Sequence, residues 1–151
     1  MTNEQVVVEL QRVAAEHGGE LKAADVVDAA RPETSPLHDS FEWDDSEAAE
    51  QYRLWQARQL IRVTVQMLGA GEDAVLSRVF VSLTTDRTRA GGGYRVMLDV
   101  LGDEGQRRQM LSDALEEMKR FRRKYGRLVE LTKVFDEMEK VIATQQPLIK
   151  V

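Results

Sequence analysis

Residues 63–100 read VTVQMLGAGEDAVLSRVFVSLTTDRTRAGGGYRVMLDV, and the period of their apolar positions decides the class of fold. Val63, Val65 and Met67 alternate with Thr64 and Gln66. Val79, Val81 and Leu83 alternate with Phe80, Ser82 and Thr84, and Tyr94, Val96, Leu98 and Val100 alternate with Arg95, Met97 and Asp99. A period of two sets alternate side chains on one side of a strand. Gly69-Ala70-Gly71-Glu72-Asp73 and Arg89-Ala90-Gly91-Gly92-Gly93 separate the three runs. The stretch therefore predicts a three-stranded antiparallel meander with one buried face.

Upstream of this stretch the period is 3.6. Val6, Val7, Leu10, Val13 and Ala14 predict a helix over 2–17, with Asn3 as its cap and Gly18-Gly19 as its stop. Leu21, Ala24, Val27 and Ala30 predict a second helix over about 22–30, closed by Pro32. Ser35 and Pro36 have the character of an N-cap and a first helical residue, which predicts a short helix ending near Phe41. Asp44-Asp45-Ser46 then caps a longer helix over 47–62, with Ala48, Ala49, Tyr52, Trp55, Leu60 and Ile61 as its apolar face and Trp43 and Trp55 as anchors.

Downstream, Gly102-Asp103 ends the sheet. Leu111, Leu115, Met118, Phe121, Tyr125, Leu128, Phe135, Met138 and Ile142 follow at steps of three, four or seven. That stripe lasts roughly nine helical turns, as one long helix or as two broken near Gly126. It exceeds what three strands can cover, so it packs on the N-terminal helices or pairs with a second copy as a coiled coil. The expected architecture is α+β. A helix-turn-helix or winged-helix-like module over 1–62 precedes a sheet and long helical segment over 63–151, or the two form one continuous domain.

Composition narrows the chemistry. The 151 residues include no cysteine and two histidines, which excludes a disulfide scaffold, a thiolate metal site and a cysteine nucleophile. No apolar run approaches the roughly 18 residues a membrane span needs, and MTNEQ has no signal-peptide character. A cytoplasmic protein without cofactor or metal, and without membrane partner, is expected. No nucleophile–base set or paired buried carboxylates emerge, so an enzyme is not expected.

The net charge of −5 conceals a polarity. Residues 1–61 carry 5 basic and 13 acidic side chains, whereas the remainder carries 16 basic and 13 acidic. Between Arg107 and Arg127, eight bases face three acids; a second group, Arg78, Arg87, Arg89 and Arg95, surrounds Asp86. Lys119-Arg120-Phe121-Arg122-Arg123-Lys124-Tyr125-Gly126-Arg127 interleaves bases with aromatics, a pattern suited to a nucleic-acid backbone. Its plainer interpretation makes Phe121 and Tyr125 core and the bases a solvated face. Thr85 to Arg95 joins two strands with glycines and arginines able to hold phosphate, or is simply a mobile hairpin tip. It lacks the Gly-Lys-Ser/Thr ending of a P-loop.

In a helix-turn-helix assignment Ser35 to Phe41 takes the recognition-helix position and the first β-hairpin the wing. Charge opposes it, because the module is acidic and DNA affinity comes mostly from phosphate neutralisation. His38, beside Asp39, Glu42, Asp44 and Asp45, has metal-like neighbours but reads more simply as capping.

The run Ser35-Pro36-Leu37-His38-Asp39-Ser40-Phe41-Glu42-Trp43-Asp44-Asp45, followed by Ala48-Ala49 and Tyr52-Arg53, resembles a motif of small uncharacterised phage- and prophage-borne proteins. Ser82-Leu83-Thr84, Asp86-Arg87, Gly93-Tyr94-Arg95 and Lys124-Tyr125 are similar to the same group. The resemblance implies a phage or prophage origin in a bacterial cytoplasm and carries no catalytic residue across. The expected function is a non-catalytic accessory factor that binds nucleic acid, DNA in preference to RNA. Its phosphate contacts would be Arg87, Arg89, Arg95, Arg120, Arg122, Arg123, Lys124 and Arg127, and self-association would run through the C-terminal helices. Two alternatives stand beside it. One is a protein-interaction factor, an adaptor or inhibitor of a host or phage protein, using Glu42, Asp44, Asp45, Glu47 and Glu50; the other is a structural virion component.

Overall fold

A computed structural model describes residues 2–43 and 47–149. Contacts divide the chain into two compact units, residues 1–100 and 101–151. The division falls at 100/101 rather than 62/63, because strands after residue 63 share a core with the N-terminal helices: Ile61, Val79 and Phe80 lie among Leu10, Val13, Leu21, Val26, Val27 and Leu37.

The first unit opens with α1 (Asn3–Glu16), which buries Val6, Val7, Leu10, Val13 and Ala14, the expected stripe. The cap is Thr2, one residue before the expected Asn3. Its hydroxyl accepts from the Gln5 N–H while the Gln5 side chain accepts from the Thr2 N–H, a capping box. Asn3 instead donates to the Val65 carbonyl at 2.9 Å, tying α1 to the strand that begins at Val65. Gly18 and Gly19, at φ +68° and +86°, end the helix, and the Gly19 N–H donates to the Ala14 carbonyl. They lead into β1 (Glu20–Leu21) and α2 (Ala23–Ala30).

The helix expected from Ser35 to Phe41 is a single 3₁₀ turn, His38–Ser40. Ser35 does accept from the Leu37 N–H at 3.3 Å. The backbone bonds that follow span three residues, and Phe41 is extended. Burying Leu37 and Phe41 in the core needs a chain that turns rather than one that winds onward. A recognition helix is therefore absent at these residues. The expected Asp44-Asp45-Ser46 cap lies outside the described residues.

In α3 (Glu47–Val63) the buried positions among the described side chains are Ala49, Arg53, Ala57 and Ile61, spaced by four. Tyr52 and Trp55, expected on the inner face, are exposed. Small alanines let α2 approach closely, so the large rings turn outward.

The expected meander is two separate sheets. β2 (Val65–Leu68) pairs with β3 (Val75–Arg78), with Val65 opposite Arg78 and Met67 opposite Leu76. The second sheet is three-stranded and antiparallel in the order β1-β5-β4, built from β4 (Phe80–Val81), β5 (Tyr94–Val96) and β1. Val79 and Phe80 are both buried, which breaks the alternation there. The Val79 N–H donates to the Thr64 carbonyl and its carbonyl accepts from the Met97 N–H, so this residue joins hairpin to sheet. Two stretches expected as loop and strand are helical: α4 (Thr84–Arg87) and α5 (Met97–Gly102).

The second unit is a helix pair. α6 (Glu104–Tyr125) starts on Asp103, whose carboxylate accepts from the Gln106 N–H at 2.8 Å. It ends at Gly126, which thereby breaks the apolar stripe; a turn at Val129–Leu131 then leads into α7 (Thr132–Ile149). Leu115 and Phe135 are buried, and the Phe121 ring lies 4.9 Å from Tyr125 and 6.1 Å from Phe135. Among the described residues no helix is long and apolar enough to cross a membrane.

Candidate nucleic-acid interface

The arginines around the second sheet close on one buried carboxylate. Asp86, on α4, is fully buried and takes the Leu83 N–H at 3.2 Å. Arg95 on β5 forks onto it through Nε at 2.9 Å and Nη2 at 2.7 Å, and Arg89 adds Nη2 at 2.6 Å. Arg89 also reaches Glu20 at 2.7 Å. Burial opposes the charge on Asp86 most strongly, yet the hydrogen bonds from Arg95, Leu83 and Arg89 prevail and hold its carboxyl below the usual range. Two guanidiniums and two carboxylates leave no net charge, so Arg89 and Arg95 serve the fold. Arg87 donates to the Ser82 carbonyl and, at 2.7 Å, to the Thr84 hydroxyl.

The acidic set is likewise distributed. Glu50 accepts from Arg31 at 3.2 Å and from Arg53 at 3.0 Å. Glu42 is exposed, and its carbonyl accepts from Arg53 at 2.9 Å. Asp44 and Asp45, and the side chain of Glu47, lie outside the described residues. His38 sets Nδ1 3.0 Å from the Ala30 carbonyl and stacks on Trp43, whose Nε1 donates back to the His38 carbonyl. The histidine thus secures the turn after α2.

On α6 the cations fall into two groups. Lys119 pairs with Glu116 at 2.7 Å and Arg122 pairs with Glu139 on α7. Arg120, Arg123, Lys124 and Arg127 are exposed and have no ion-pair partner among the described residues; Lys124 lies 5.0 Å from the Tyr125 ring. Their spacing of i, i+3, i+4 and i+7 sets them on one side of α6 and its closing turn, opposite Leu115, Met118 and Tyr125. The carboxyl of Glu116 is lowered chiefly by Lys119, with Arg123 and Arg120 adding to the effect.

One surface is legible only with the fold in hand. The outer side of α3 presents Gln51, Tyr52, Trp55, Arg58 and Arg62, all exposed, with half-buried Gln59 between them. Tyr52 and Trp55 are 49% and 51% exposed and stack on each other at 5.6 Å and 14°. Arg58 and Arg62, one turn apart, have no ion-pair partner among the described residues. The signal in the sequence was the four-residue spacing of Ala49, Arg53, Ala57 and Ile61, which turns the other stripe to solvent. Among the described residues no group of three His, Asp or Glu side chains could hold a metal ion.

No protein-family model, curated protein or solved structure matches the chain.

Proposed function

We propose that this chain is a non-catalytic nucleic-acid-binding protein, an accessory factor of phage or prophage kind, that grips phosphates with the end of α6. The observation carrying this is the single-sided group Arg120, Arg123, Lys124 and Arg127, four exposed cations that form no ion pair among the described residues. Charge gathered on one helix face is the electrostatic footprint of a backbone contact. Arg122, Arg89 and Arg95 are committed to internal ion pairs and support the site rather than form it.

Residues 1–78 run helix, strand, helix, helix and two-strand hairpin. That order supports a winged-helix-like module with α3, in place of residues 35–41, at the recognition position and β2–β3 as the wing. Self-association belongs to the same proposal: Val134, Val141 and Leu148 are exposed on α7 at seven-residue intervals, the spacing of a coiled-coil seam. A sedimentation mass of 17.2 kDa at micromolar concentration would remove that part.

The test of binding is retention on a DNA column. Retention should fall steeply as salt rises, and Arg123→Glu with Arg127→Glu should elute the protein at much lower salt. Both side chains are exposed, so circular dichroism of the variant should match the wild type. Unchanged elution would refute the α6 contact.

A further inference from the structure

We infer that the outer face of α3 docks duplex DNA, with the helix lying along the major groove and Arg58, Arg62, Gln51 and Gln59 facing the base edges and phosphates. This rests on the nucleic-acid function and the placement of α3 proposed above, and adds the contacting residues and the form of nucleic acid.

The orientation of α3 is set by its inner stripe of Ala49, Arg53, Ala57 and Ile61, which leaves the opposite side to solvent. From Gln51 to Arg62 that outer side carries two cations, two amides and two rings, and no carboxylate. Arginine and glutamine are the side chains whose paired donors and acceptors match guanine and adenine edges in the major groove. An α-helix about 10–12 Å across, side chains included, fits a groove about 12 Å wide.

The acidity of this unit does not oppose a local contact, because much of it is spent elsewhere. Glu9 and Glu16 flank Arg12 and raise its pKa further, Asp28 and Glu50 bind Arg31, Glu50 also binds Arg53, and Glu20 binds Arg89. Arg58 and Arg62 have no such carboxylate among the described residues, so their charge is available to a polyanion. The rings favour a duplex over a single strand. Base stacking needs open ring faces, and Tyr52 and Trp55 already cover one another at 5.6 Å. What they offer is apolar contact area flanking the arginines.

The experiment is fluorescence anisotropy of the full chain with a labelled random-sequence duplex, and with one of its strands, over a salt series. Four proteins are compared: wild type, Arg58→Ala with Arg62→Ala, Trp55→Ala, and Arg123→Glu with Arg127→Glu. The double alanine variant should bind the duplex at least about tenfold more weakly, and its salt dependence should flatten by about 1.8 in the log–log slope, roughly 0.9 per phosphate released. Trp55→Ala should weaken binding without changing that slope.

The outcomes separate the two proposals. If the wild type binds neither duplex nor single strand at low salt, both fall. If it binds, and the α6 variant loses binding while both α3 variants keep it, the α3 surface alone is overturned. Loss in the α3 variants with the α6 variant unaffected upholds the α3 surface and removes the α6 grip. Tighter binding of the single strand, with the same dependence on Arg58 and Arg62, overturns the duplex assignment.

Discussion

Replacing Asp86 by asparagine tests whether the arginines of the second sheet serve the fold. The carboxylate is fully buried and accepts a fork from Arg95, a bond from Arg89 and the Leu83 N–H. Asparagine keeps one oxygen and turns an NH2 toward guanidinium donors. Losing the two charge-assisted bonds of the Arg95 fork costs about 3 kcal/mol. The Arg89 pair is discounted to under about 1 kcal/mol, since that side chain is 47% exposed. Relief of carboxylate desolvation offsets part of the sum, leaving a net loss of about 3 kcal/mol. For a unit of this size the melting temperature should drop by roughly 12 °C or more.

The pH dependence supplies a second readout. The folded carboxyl titrates below the ordinary aspartate value of 3.8, so its stabilisation is fully present above that pH and is lost as pH falls through the lower folded value. The gap between wild type and Asp86→Asn in chemical denaturation should stay constant from pH 7 to pH 5 and narrow below about 3.8. A loss under about 1 kcal/mol at pH 7, set against the few kcal/mol that breaking a buried ion pair costs, would refute the reasoning, as would a gap indifferent to acid. The salt dependence of DNA retention should be unchanged in Asp86→Asn.

Arg53 is 4% exposed, donates to Glu50 and to the Glu42 carbonyl, and sits 5.3 Å from the Trp43 ring. Arg53→Ala should cost about 2–4 kcal/mol through lost bonds and packing, with Trp43 emission shifting red as its environment opens. In the second unit Leu115 is the most deeply buried of the stripe residues, at 1% exposure. Leu115→Ala should cost about 2–4 kcal/mol, measured as earlier loss of helical signal. It should leave backbone protection of the β1-β5-β4 sheet in hydrogen exchange unchanged.

Local signals along the chain decided the local elements. The stripe from Val6 to Ala14, the Gly18-Gly19 stop, the extent of the helix after Ser46 and the strand character of Val65–Leu68 follow from short-range periodicity and backbone freedom, which neighbours in sequence express. Pairing and orientation did not follow. Val65 faces Arg78, and Glu20, from a two-residue strand too short to show any period, faces Arg95. Register is a contest among distant segments, settled by which of them bury Val79, Phe80 and Leu21 together.

The same division holds for the candidate sites. That cations cluster between Arg107 and Arg127 is a property of the chain alone. Which of them stay available depends on where the carboxylates lie in space. Arg95 and Arg89 are drawn to a buried Asp86, Arg122 to Glu139 across the helix pair, while Arg123, Arg127, Arg58 and Arg62 are left exposed. Charge is written residue by residue, but its neutralisation is decided over a few ångströms, and only folding sets those distances.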